Sequence, residues 1–134
     1  MIPTFEEHTQ PLSDYEKNTL LPLLIKGFKT KVGVENCITN PQICSALRKL
    51  GYKVTQPRVR KIVFYIRNKN MIPKLIASSK GYWIATNKRQ VISWLDSVNS
   101  KISALEQTKK YAENIISQWD APPPAQTNLF NNGQ

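Results

Sequence analysis

The stretch from Thr55 to Ala85 reads TQPRVRKIVFYIRNKNMIPKLIASSKGYWIA, and its apolar spacing changes part-way through. Thr55 stands as an N-cap, Pro57 falls in the first turn where its missing N–H costs nothing, and Val59, Ile62, Val63 and Ile66 recur at helical spacing. At about 100° per residue those four form one buried stripe, with Pro57, Lys61, Phe64 and Asn68 opposite it. Arg58 and Tyr65 take one shoulder, Arg60 and Arg67 the other. The outward face is therefore expected to be cationic and partly aromatic. Beyond the helix, Leu75-Ile76-Ala77 and Tyr82-Trp83-Ile84-Ala85 read as short strands. Ser78-Ser79-Lys80-Gly81 joins them, with Gly81 able to take the positive φ that a hairpin turn demands and Lys80 at the tip.

Upstream, Thr39-Asn40-Pro41-Gln42 opens another helix: Thr39 or Asn40 is the N-cap, Pro41 lies in the first turn, and Gln42 sits where a capping box has its second partner. That helix runs through Ile43, Cys44, Leu47 and Leu50 to a stop at Gly51. Gly51 to Val54 is a short turn, so two helices, the second one basic, follow each other as a helix-turn-helix. Asn36-Cys37-Ile38 could add a first strand to the sheet. Earlier still, Ser13-Asp14-Tyr15-Glu16 is a capping box. The helix it opens carries Leu20, Leu21, Leu23, Leu24, Ile25 and Phe28, too continuous for a thin stripe, and marks a central core element. Pro22 inside it must kink it or split it.

A cationic helix followed at once by a hairpin with a lysine at its tip resembles the recognition helix and wing of the winged helix-turn-helix family. The nearest pattern is the biotin-repressor-like N-terminal domain, to which Val59, Ile62, Val63, Ile66, Ile76 and Gly81-Tyr82 are similar in order and type. The phrase ASSKGYWIA also resembles small proteins encoded by phages or mobile elements. The likeness covers roughly residues 36 to 86, and it implies a DNA-binding domain without the enzymatic domain that follows it in the biotin repressor.

Length and charge agree with a binding protein. The 134 residues allow one domain plus appendages, since a domain takes about 100 to 150. Mean hydropathy is negative. No apolar run approaches the roughly 18 residues of a membrane span, and the polar, acidic start is unlike a signal peptide, which points to a cytoplasmic protein. Cys37 and Cys44 are the only cysteines and His8 the only histidine. A metal site needs about four ligands, so neither metal nor cofactor is expected. Without a phosphate loop, a paired-carboxylate motif or a nucleophile with a nearby histidine, an enzyme has no footing in the sequence. Net charge is +10, and its distribution is sharper than its sum: between Glu35 and Asp96 there is no Asp or Glu, while twelve Lys and Arg occur. An ordinary solvated surface interleaves both signs. One sign over so long a stretch points to a polyanion.

After Thr86 or Asn87 as N-cap, apolar or tolerated residues recur at Val91, Leu95, Val98, Ile102, Leu105, Lys109, Ala112, Ile116 and Trp119 in alternating steps of four and three. A helix over Lys88 to Trp119 would be roughly 48 Å long, more than one small domain covers. Its first half is expected to pack on Tyr15, Leu23 and Phe28, and residues 91–119 as a whole to form a homodimer through a coiled coil. Ala-Pro-Pro-Pro-Ala then ends the helix, and the polar tail that follows is disordered by composition. Within it, Gln126, Leu129 and Phe130 match the peptide, commonly Gln-Leu-(Ser/Asp)-Leu-Phe, by which bacterial replication and repair proteins hook the DNA polymerase sliding clamp. Thr127 and Asn128 depart from that pattern.

The expected architecture is thus mainly α (α+β), a winged helix-turn-helix with a small β-wing and a long C-terminal helix. Residues 1–12 are a flexible arm, 13–86 the domain, 87–120 the long helix and 121–134 the tail. The expected function is sequence-specific binding of double-stranded DNA, as a transcriptional regulator or a replication or phage accessory protein. Arg58 and Lys61 are the best base readers, because Arg can grip guanine O6 and N7 bidentately, and Gln56 suits adenine. Tyr65 and Asn68 would reach sugar or phosphate, and Lys80 with Ser78 and Ser79 would touch the backbone or minor groove. Arg60 and Arg67 stand nearer the buried edge. Two alternatives compete: a winged-helix adaptor that binds protein, and a binder of RNA or single strands that stacks bases on Phe64, Tyr65, Tyr82 and Trp83.

Overall fold

The computed structural model of the chain describes residues 10–119. Most of the expected arm and the whole tail, including Gln126, Leu129 and Phe130, lie outside the described residues. The fold is mainly helical, with one small antiparallel sheet and a long C-terminal helix.

The Ser13–Glu16 capping box forms as expected. The Ser13 N–H donates to Glu16 Oε1 at 2.8 Å and the Glu16 N–H to Ser13 Oγ at 3.1 Å. A π-helical turn, Glu16–Leu20, then leads into α1, Leu21–Phe28. Here the Leu21 N–H reaches back to Glu16 O, one residue further than an α-helix would. Pro22 follows immediately, without the N–H an α-helical ladder would use, and the wider turn before it absorbs the mismatch. The expected split is thus made by a change of helical register.

In α2, Asn40–Lys49, the Thr39 box is complete: the Gln42 N–H donates to Thr39 Oγ1 at 3.3 Å and the Thr39 N–H to Gln42 Oε1 at 2.9 Å. Its far end closes as a Schellman motif, with Gly51 at φ 89°. The Gly51 N–H donates to Arg48 O at 2.9 Å and the Tyr52 N–H to Leu47 O at 2.9 Å. Next comes α3, Gln56–Asn68, whose N-cap is Thr55 by position, although the Thr55 side chain makes no capping bond. It ends in a second Schellman motif, this time with Asn70 as the left-handed residue at φ 51°. Val59, Ile62, Val63 and Ile66 are at most 1% exposed, and each contributes about 1.5 to 3 kcal/mol through burial. They pack with Leu20, Leu24 and Phe28 of the first helix, and with Ile43 and Leu47 of α2. Phe28 meets Tyr82 edge-on at 5.8 Å.

Strands β1, Leu75–Ser78, and β2, Gly81–Ile84, pair antiparallel with Ile76 opposite Trp83 and Ser78 opposite Gly81. Gly81 takes a φ of 126°, and a Cβ there would come within 2.7 Å of Ile38 O. Both the turn and this close approach therefore require glycine. The free edge of β2 is covered by the connection between α1 and α2: Ile38 and Tyr82 exchange N–H···O bonds of 3.0 and 2.8 Å, and the Ile84 N–H donates to Lys31 O at 2.7 Å. The strand expected at 36–38 is thus a single bridge at Ile38, because a 3-10 turn over Val34–Asn36 precedes it and α2 follows at once. Both faces of the hairpin are buried. Leu75 and Tyr82 join the main core, while Ile76 and Trp83 form a second cluster with Ala85, against which Trp94 packs.

The last helix, α4, spans Lys88–Gln118 and starts on Asn87, whose Oδ1 accepts from the Gln90 N–H at 3.0 Å. Near its start, Trp94 packs against the Ile76, Trp83 and Ala85 cluster on the hairpin, whereas the expected neighbours were Tyr15, Leu23 and Phe28. By its contacts the body extends to Leu95, and the rest of α4, from Asp96, is a separate unit. Among the described residues no helix is long and apolar enough to cross a membrane.

Candidate nucleic-acid interface

Helix α3 presents two flanks of opposite character. On one, Arg58 is 14% exposed at its side chain and grips Glu16, Nε to Oε2 at 2.7 Å and Nη2 to Oε1 at 2.6 Å. Its Nη1 and Nη2 also reach Gln10 O and Pro11 O, each at 3.0 Å. Burial would raise the Glu16 carboxyl, but hydrogen bonds from Arg58 and the Ser13 backbone, together with the Arg58 charge, hold its pKa below the ordinary value. Arg58, expected as a base reader, is thus engaged in tying α3 to the start of the first helix. The helical wheel placed it on an outward shoulder, and the arriving N-terminal segment covers that shoulder.

On the other flank, Arg60 is exposed, Lys61 half-buried, and Phe64 49% exposed. With Arg67 they line one wall of a groove of about 360 Å³, whose opposite wall is Ala77 and Tyr82 of the hairpin. Arg60, expected near the buried edge, is the most accessible arginine of the helix. Arg67 lies between two rings, its guanidinium 5.9 Å from the Phe64 centroid and 5.8 Å from that of Trp94. Its Nε is buried and has no hydrogen-bond partner. A buried donor left in that state costs about 1 to 3 kcal/mol. Among the described residues Arg58–Glu16 is the one ion pair, which leaves the groove cations without carboxylate partners.

The other expected contacts divide in the same way. Gln56 and Asn68 are exposed at the two ends of α3. Tyr65 is half-buried between the ammonium groups of Lys17 and Lys69, each 5.9 Å from its ring. Ser79 and Lys80 are exposed at the hairpin tip, whereas Ser78 is held inside it: its hydroxyl accepts from Trp83 Nε1 at 3.3 Å and from the Lys80 N–H at 3.2 Å. Tyr82 and Trp83 are only 8% and 7% exposed, which removes two of the four aromatics that a stacking surface would use.

Sequence reasoning overlooked one positioning residue. Asn40 Nδ2 donates to Gln56 O at 3.1 Å and to Tyr82 Oη at 3.2 Å, so one side chain at the start of α2 joins α3 to the hairpin. Its neighbour Cys44 donates to Asn40 Oδ1 at 3.6 Å, and burial, partly offset by the charges of Arg48 and Arg60, pushes that thiol up. Among the described residues no cluster of His, Cys, Asp and Glu could hold a metal ion. Comparison with protein-family models, curated proteins and solved structures finds no match for this chain.

Proposed function

We propose that this chain is a cytoplasmic winged helix-turn-helix protein that binds double-stranded DNA in a sequence-dependent way, serving transcription or the replication of a phage or mobile element. The observation that carries the reading is the groove beside α3, where Arg60, Lys61 and Arg67 line one wall opposite a hairpin tipped by Lys80. The order of elements supports it too: a helix, a bridge at Ile38, two helices joined by a short turn, and a hairpin whose second strand pairs with that bridge. With α3 in a major groove, Gln56, Arg60 and Lys61 face base edges, Phe64 offers apolar contact to a thymine methyl, and Asn68, Ser79 and Lys80 meet the backbone.

The test is selection of duplexes from a random pool, followed by titration at several salt concentrations. The Arg60→Ala, Lys61→Ala double variant is expected to lose about 1 to 3 kcal/mol per base contact and to flatten sequence preference. Unchanged duplex binding in that variant would overturn the reading. The tail peptide Gln126, Leu129 and Phe130 is proposed as a separate ligand for a sliding clamp, tested by titrating a peptide of residues 121–134 into purified clamp beside its Leu129→Ala, Phe130→Ala form.

A further inference from the structure

From Asp96 onward, α4 has a composition unlike that of the body. Lys101, Lys109 and Lys110 are balanced by Asp96, Glu106 and Glu113, so the charge argument that favours a polyanion for the body gives it no hold here. None of α4 is buried, and Ile102, Leu105 and Ile116, with Trp119 just past its end, are 49, 69, 74 and 80% exposed. Helices draw most of their stability from packing an apolar seam.

In heptad positions, Ile102, Lys109 and Ile116 fall at a, and Leu105, Ala112 and Trp119 at d. A β-branched residue at a beside leucine at d favours two strands, and a single lysine at a is a register marker that costs stability. Lys101 is at g and Glu106 at the following e. Those two positions face each other only between parallel, in-register helices, where Lys101 of each copy meets Glu106 of the other. In an antiparallel pair, e faces e, and Glu106 would meet another glutamate or Asn99. We infer that residues 96–119 form a parallel, in-register, two-stranded coiled coil with a second copy of this chain, so that the DNA-binding body acts as a pair.

Sedimentation of the full chain at tens of micromolar is expected to show a dimer, the range in which so polar a seam associates. Lys101→Glu and Glu106→Lys should each weaken self-association by about tenfold, and an equimolar mixture of the two should restore it, because both e/g pairs are then opposite in sign. Lys109→Ile should tighten the dimer. None of these exposed positions supports the body's core, so folding is preserved. A monomer at about 100 µM for both the native chain and Lys109→Ile would overturn the inference, as would a dimer indifferent to the charge swaps. Neither result bears on whether the monomer binds DNA.

Discussion

The two flanks of α3 carry arginines only two residues apart, and one of them is part of the fold while the other is part of the surface. Arg58 is enclosed by Glu16 and the carbonyls of Gln10 and Pro11, whereas Arg60 stands open on the groove beside the hairpin. Intrinsic chemistry does not separate them, and neither does position on the helical wheel, since both lie on shoulders. What separates them is a single carboxylate on another helix. An arginine in a basic helix is therefore assigned to structure or to recognition by what approaches it, and the difference should be measurable.

The largest effect is expected on stability. Arg58→Ala leaves Glu16 enclosed without its cation, and Glu16→Ala strands Arg58, so each should cost about 3 kcal/mol in urea unfolding, at the low end for a buried pair because some solvent reaches it. The mirror change Arg60→Ala should alter stability by no more than about 0.5 kcal/mol while lowering duplex affinity. If the two variants behave alike in unfolding, the contrast between the flanks is wrong.

A smaller effect is expected from pH. Glu16 titrates below its ordinary value of 4.5 in the folded chain, so the folded state binds this proton more weakly than the unfolded one. Its contribution is fully present above 4.5 and is lost as pH falls through the lower, folded value. Unfolding midpoints of the native chain and of Glu16→Gln, followed from about pH 6 down to about pH 3, should converge as acid is added. A gap that stays constant would mean that the carboxylate does not carry the link.

The smallest effect concerns the hairpin tip. Lys80→Ala should weaken all duplexes alike and lower the salt slope by about one, with no change in sequence preference. A change in preference instead would move Lys80 from the backbone to the bases and widen the recognition surface beyond α3.

Much of this molecule was legible because it is written locally. Both capping boxes, the stop at Gly51, the positive φ of Gly81, the buried stripe of α3 and the extent of α4 depend on residues within a few positions of each other, where side-chain type and spacing suffice. The acid-free block and Lys80 at the tip were visible for the same reason. The groove was not, because its two walls come from α3 and the hairpin and its cations are sorted by a partner far away in the chain. Glu16 lies 42 residues from Arg58, and Asn40 is 42 from Tyr82. An acid at the second partner position of the Ser13 capping box, ahead of a long acid-free basic block, was the available sign that some arginine would be drawn to it.

By itself the sequence determined the main helices and the hairpin, the two capping boxes and the sign of the charge, since these follow from backbone preference and composition. Only the tertiary structure decided that Arg58 closes the body and Arg60 faces outward, that Tyr82 and Trp83 are both core, and that Trp94 packs on the hairpin. Those outcomes depend on which buried surfaces fit together, and burial, unlike periodicity, is a property of the packed chain as a whole.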